Sequence, residues 1–212
     1  MKAHIFDMDG TLINSMGLWV SLDKAFLERR GMPLPGNYDE YVEKTTPLTQ
    51  IESAAYAIQF FNLTDTAEEV CREWNEMAVD IYSTTLPLKV GAKKYLQTLR
   101  KAGAKMAVAT SAPKILCMSA LEHHGIVDLF DAICLSDEVG VGKNKPDIFL
   151  LAANRLGAAP KDCIVYEDSV IAAKTAKAAG MTVYAIHDAA SGNTWEEIKQ
   201  IADRTFYDFD EL

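Results

Sequence analysis

Five short apolar runs, at residues 3–6, 106–109, 132–135, 163–166 and 182–186, constrain this chain most. Each has the length of a buried strand and is bounded by turn formers or polar residues. From residue 92 onward they alternate with helical patterns. These cover 92–101 ending at Gly103, the segment from Pro113 to Gly125, 147–156 ending at Gly157, 170–179 ending at Gly180, and 196–202. Pro113 suits a first helical turn. Strands separated by helices of about ten residues imply crossover connections and a parallel sheet. A last strand is expected over 205–209.

The first strand is cut off from the others by a long helical stretch. Leu18, Trp19, Leu22, Ala25 and Phe26 recur at helical spacing, with Arg29, Arg30 and Gly31 closing the segment. Residues 32–47 read as a connector with at most short helices. Ile51, Ala54, Ala55 and Ile58 mark another helix. Thr66 and Glu69 have the form of a capping box ahead of a stripe at Val70, Trp74, Met77 and Ile81. Residues 84–88, containing Pro87, read as a hinge. The expected organisation is an α/β core of residues 1–14 and 86–212 with a small α-helical cap domain, 15–85, inserted after the first strand. Such an insertion suits a mobile lid.

The 212 residues are 49% hydrophobic and carry a net charge of −9. That charge argues against nucleic acid or an anionic membrane as partner. Any anionic substrate needs a local cation. Cys71, Cys117, Cys134 and Cys163 show no metal-binding spacing and sit in apolar contexts, so reduced, buried thiols are expected. A strand starting at Ala3 leaves no room for a signal peptide, and no apolar run reaches transmembrane length. A cytoplasmic protein, monomeric or weakly dimeric, is expected.

The chemistry gathers where apolar runs stop. Asp7 and Asp9 follow the first run and precede Gly10. Thr110 and Ser111 follow the second; Glu167 and Asp168 follow the fourth. Lys143 and Lys145 lie beyond a turn containing Gly140 and Gly142. In a parallel sheet all carboxyl ends lie on one edge, so these groups can share a crevice. Carboxylates make a hard oxygen site for Mg²⁺. A hydroxyl and an ammonium can hold phosphate oxygens, and a carboxylate can serve as nucleophile.

Asp7-Met-Asp9-Gly10-Thr11 resembles the signature of the haloacid dehalogenase superfamily of phosphohydrolases. Val-Ala-Thr110-Ser111 resembles its second motif, Gly142-Lys143-Asn144-Lys145-Pro146-Asp147 its third, and Tyr-Glu167-Asp168-Ser169 its fourth. The helical insertion sits where the β-phosphoglucomutase-like subgroup carries its cap. The resemblance implies a three-layer, Rossmann-like fold and Mg²⁺-dependent hydrolysis of a small phosphorylated metabolite. It implies Asp7 as nucleophile, forming an aspartyl-phosphate, and Asp9 as general acid and base. Thr110 would contact the phosphoryl group. Asp7, Asp168 and the backbone carbonyl of Asp9 would bind the metal, and Glu167 would support that site. Asn144 replaces the usual motif proline, so Lys143 is favoured as the phosphate-binding lysine, with Lys145 the alternative.

Ser111 reads either as a helix N-cap or as a phosphate contact, and Ser169 as a local cap. The four histidines read as structural or surface residues. Trp19, Trp74 and the Phe60–Phe61 pair read as core. Ser15 and Trp19 are the candidates for a role in cap specificity, since they follow the catalytic loop into the insertion. Family dehalogenases and phosphonate hydrolases lack a carboxylate at position 9, so Asp9 argues for phosphate esters. The mutases place a His where this chain has Trp19 and an Arg in a cap loop; residues 43–50 contain no Arg. Both absences favour a phosphoric monoester hydrolase over a phosphosugar mutase. A non-catalytic phosphate-binding module is the third reading.

Overall fold

A computed structural model describes residues 2–189 and 194–212. Six strands form one parallel sheet: β1 (Ala3–Phe6), β2 (Lys105–Thr110), β3 (Ala132–Leu135), β4 (Cys163–Glu167), β5 (Thr182–Ile186) and β6 (Arg204–Phe206), in the order β3-β2-β1-β4-β5-β6. The strand order reverses direction beside β1, which places the β1 carboxyl end at the switch point where such sheets bind ligands.

The sheet is buried on both faces, as its apolar strands require. Side chains alternate along β1. Phe6 joins Tyr166, Met106 and Val108 against α5 (Ala92–Lys101) and α6 (Lys114–His123). Ile5 joins Ala107 and Val165 against α8 (Asp147–Arg155), α9 (Val170–Ala178) and α10 (Thr194–Ile201). The result is a three-layer α/β sandwich. Two elements depart from expectation. Phe209 turns away from the sheet edge: its N–H bonds Val90 O (2.9 Å) and its ring packs on Phe206 and Tyr95, so β6 stops at Phe206. A four-residue helix, α7 (Ser136–Val139), follows β3 and is too short to leave a periodic signal.

Between β1 and β2, ahead of α5, lie α1 (Met16–Glu28), α2 (Tyr38–Thr45), α3 (Gln50–Phe61) and α4 (Ala67–Thr84). Both α3 and α4 begin with capping boxes, Thr49/Glu52 and Thr66/Glu69. The four helices share an apolar cluster built on Phe26, Tyr41, Phe61 and Trp74. α4 belongs to two cores: Val70 and Trp74 fill this cluster, while Ala78 and Tyr82 pack into the sheet's core. The two chain crossings into the block run side by side. Ile13 bridges Leu88, Asn14 N–H donates to Pro87 O (3.0 Å), and Lys89 N–H donates to Leu12 O (2.9 Å). The four cysteines are free thiols, three buried and Cys71 half-buried. Among the described residues no helix is long and apolar enough to cross a membrane.

Candidate active site

The site begins where β1 runs out. Asp7 N–H still donates to Tyr166 O (3.0 Å), which carries the β1–β4 ladder one residue past the strand. The chain then coils tightly: the N–H groups of Leu12 and Ile13 both reach Met8 O. Gly10 sits at φ +84° inside this coil, and a Cβ there would lie 2.2 Å from Asp168 Oδ2. Only glycine satisfies both the backbone and the neighbour. Thr11 donates its hydroxyl to Asp168 Oδ1 (3.1 Å), locking the β1 loop to the β4 loop.

Asp7 and Asp9 acquire different partners. Lys143 Nζ donates to Asp7 Oδ1 and to Glu167 Oε1 (2.6 Å). Glu167 Oε2 accepts the backbone N–H groups of Asp168 and Ser169, each at 3.0 Å. Asp9 Oδ1 accepts the hydroxyls of Ser15 (2.6 Å) and Tyr82. Its Oδ2 has no hydrogen-bond partner among the described residues. Loss of solvent pushes the Asp9 carboxyl up to about 6; the two hydroxyls pull it down and the Asp7 charge pushes it further up. Burial alone would lower the Lys143 ammonium, but Asp7 and Glu167 outweigh it and hold the group charged. Asp168 is driven upward by burial and then by Asp7, Glu167 and Asp188.

Asp7, Glu167 and Asp168 each offer an oxygen, all within 4.8 Å of one another. This is a hard oxygen donor set with more negative charge than the single Lys143 ammonium offsets. A divalent cation fits it. Thr110 and Ser111, Lys143, and the four acids Asp7, Asp9, Glu167 and Asp168 line one cavity of about 360 Å³, roofed by α1 to α4.

A model of the haloacid dehalogenase-like hydrolases matches residues 1–180. The chain belongs to this family. It is 32% identical over 183 residues to a bifunctional riboflavin kinase/FMN phosphatase of Arabidopsis thaliana, covering 86% of this chain and 47% of that protein, so it spans about half of that relative. It is 27% identical over 181 residues to a phosphorylated carbohydrates phosphatase of Thermotoga maritima, covering 85% and 82% of the two chains. A β-phosphoglucomutase structure from Clostridium difficile superimposes with a TM-score of 0.83 at 21% identity, over 100% of this chain and 93% of that one. At that identity the likeness establishes the shared fold.

Within this haloacid dehalogenase-like chain, the structure brings Asp7, Asp9, Thr110, Ser111, Lys143, Glu167 and Asp168 to one cavity. It separates the two lysines: Lys143 is buried among the acids, whereas Lys145 is exposed and outside the lining. Ser111 is not an N-cap. Pro113 occupies that position of α6, and the Ser111 hydroxyl faces Ser136 Oγ at 3.1 Å. Ser15 does not face the cavity; it is fully buried and holds Asp9 from below. Trp19 lines the cavity and stands edge-on to Tyr82. Trp74, read as core, is both core and cavity wall.

Four side chains escaped the sequence reading. Thr11 stood in the quoted motif without a role. Tyr82 continues the α4 face of Trp74 and Ala78 at four-residue spacing, a place where an aromatic reads as packing. Asp23 lies four residues after Trp19 and three before Phe26, an acid inside an apolar stripe; that is the signal that could have found it. Tyr38, in the connector, donates to Asp23 Oδ2 (2.6 Å).

Proposed function

We propose that the chain is a Mg²⁺-dependent phosphatase that hydrolyses a small phosphorylated metabolite through an aspartyl-phosphate on Asp7. The observation that carries this reading is the unequal treatment of two acids two residues apart. Asp7 is tied to an ammonium, which marks where phosphoryl oxygens would be neutralised. Asp9 is tied by one oxygen to two hydroxyls, leaving Oδ2 for a proton.

In the first step an Asp7 carboxylate oxygen attacks phosphorus, and the bond from phosphorus to the alcohol oxygen breaks. Asp9 Oδ2 delivers a proton to the departing oxygen. In the second step Asp9 takes a proton from water as that water attacks phosphorus, and Asp7 leaves as carboxylate. Thr110 and Lys143 hold the phosphoryl oxygens, with Ser111 beside them. Asp7, Asp168 and the Asp9 backbone carbonyl would hold the metal, with Glu167 orienting Lys143 and the β4 loop. Mg²⁺ would supply charge neutralisation at the phosphoryl group. Residues 15–85 serve as the cap over a core of 1–14 and 86–212.

Hydrolysis is favoured over phosphoryl return to a sugar because no His or Arg stands among the described residues lining the cavity. The names of the two relatives above, both phosphatases, support the same choice. With Mg²⁺ the protein should release phosphate from p-nitrophenyl phosphate, and EDTA or Asp7→Asn should abolish release. Undiminished release by Asp7→Asn overturns the mechanism.

A further inference from the structure

The cap side of the cavity has a carboxylate that the reaction above does not use. Asp23, on α1, is 7% exposed and lines the cavity. Tyr38 donates to its Oδ2, and Oδ1 has no hydrogen-bond partner among the described residues. Burying a half-satisfied carboxylate is costly. A neutral amide oxygen would accept from Tyr38 equally well, so tying α1 to α2 does not explain the charge.

The surroundings say what Oδ1 would take. Trp19, Tyr38, Tyr41 and Trp74 contribute aromatic walls, with the Tyr38 and Tyr41 rings 5.6 Å apart. Several other polar side chains here direct a hydrogen into the protein. Thr45 and Thr46 donate to Tyr41 O (2.9 Å) and Val42 O (2.7 Å), Ser53 donates to Thr45 O (3.3 Å), and the Gln50 amide donates to Asn75 Oδ1 (2.8 Å). Trp74 keeps its indole N–H buried. Lys143 is the sole lysine or arginine among the described lining residues, and it serves Asp7, Glu167 and, in the reaction above, the transferring phosphoryl group. This wall therefore offers the buried Asp23 oxygen, the exposed Asp39 carboxylate at its edge, and aromatic faces. A second anion on the substrate would meet Asp23 with nothing to neutralise it. An ammonium would gain both the charge-assisted hydrogen bond and the ring faces.

We propose that Asp23 is a specificity residue that binds the ammonium group of a phosphorylated amino alcohol or amino sugar, whose phosphate lies at Asp7. This deepens, and rests on, the phosphatase reading. The test uses ω-aminoalkyl monophosphates of two to six carbons beside the hydroxyalkyl monophosphates of equal length, so that one length spans the cavity. In the wild type the amine should be favoured at some length by about tenfold or more in kcat/KM, expressed in KM. Asp23→Asn should bring the pair to near parity while p-nitrophenyl phosphate hydrolysis persists. Tyr38→Phe removes a donor that pulls the Asp23 carboxyl down, so it is compared with the wild type at about pH 8.5, well above that carboxyl's range, where it should retain or strengthen the preference. Parity at every length in the wild type, a preference that survives Asp23→Asn, or parity in Tyr38→Phe overturns the proposal. If the wild type hydrolyses p-nitrophenyl phosphate and shows no amine preference, the subsite fails and the phosphatase reading stands. If nothing is hydrolysed, the phosphatase reading fails; calorimetric binding of the same pairs, with the same outcomes required, still decides the subsite.

Discussion

Asp9, in the loop after β1, owes its position to Tyr82, 73 residues away in the chain on α4. That hydroxyl and Ser15 both hold Oδ1, so the free oxygen is aimed by the pair rather than by the β1 loop alone. Tyr82 is a positioning residue, and its loss should be read through the leaving group. In the mechanism proposed above, an alkoxide needs a proton from Asp9 and p-nitrophenolate does not. Tyr82→Phe should therefore lower kcat/KM, which reports the first step and not the later attack of water, by about tenfold or more for an alkyl phosphate, a fraction of what a general acid supplies. It should leave kcat/KM for p-nitrophenyl phosphate within about threefold of wild type, since that first step bypasses the proton. Equal losses on both substrates would assign Tyr82 a purely structural role. At this scale the sequence was informative where residues adjoin: Asp7, Asp9, Glu167 and Asp168 break apolar runs and announce themselves. Tyr82 and Asp23 do not, because each sits at helical spacing within an apolar stripe, and only tertiary packing turns one toward Asp9 and the other toward the cavity.

Helices and strands were legible in proportion to their length and the sharpness of their ends. The runs at 3–6, 132–135 and 182–186 are strands with those bounds, because each is largely apolar and stops at a polar residue or turn. α7 and the early end of β6 depend on contacts that no local period encodes. α1 makes the sharper case, since Asp23 conflicts with its own apolar stripe. Burial pushes Asp23 up from its ordinary 3.8 to about 6, against the pull of the Tyr38 hydroxyl, with the Tyr41 phenol also near its charge. The folded state then binds more protons than the unfolded one between these values. Stability falls as pH rises from about 4 to about 6 and stays reduced above. A rise of that size burdens the fold by about 3 kcal/mol at pH 8. Asp23→Asn keeps an acceptor for Tyr38 and sheds the charge. It should raise the melting temperature at pH 8 and confer no gain at pH 4. A gain of equal size at both pH values would show that the charge is not what burdens α1.

The whole molecule is a sheet whose carboxyl edge is roofed by helices, and the roof meets the core most tightly at Gly142. A Cβ there would lie 2.0 Å from Pro47 O and 2.8 Å from Leu48 Cα, so the loop carrying Lys143 touches the α2–α3 connection directly. The sequence marks Gly142 as part of a turn and as the head of the third motif, neither of which says what it touches. Its partner, in a connector some ninety-five residues earlier, has no motif at all, which is why the closeness of roof and floor could not be read in advance. Anchoring elsewhere is broad: Ala78 and Tyr82 of α4 sit in the sheet's core, and the paired crossings at Ile13 and Leu88 brace the hinge. Gly142→Ala should therefore leave the fold standing while forcing the two loops apart beside Lys143. Displacements near 1 Å at a reacting centre can cost up to about 10²-fold, so kcat/KM should fall by roughly tenfold to a hundredfold. The melting temperature should fall by several degrees, since the added Cβ overpacks one buried contact while the rest of the anchoring stays. Proteolysis in the hinge at residues 84–88 should quicken as the roof lifts. Wild-type kcat/KM in Gly142→Ala would show that the closeness of Gly142 to Pro47 plays no part in assembling the site, and that α4 alone holds the roof where turnover needs it.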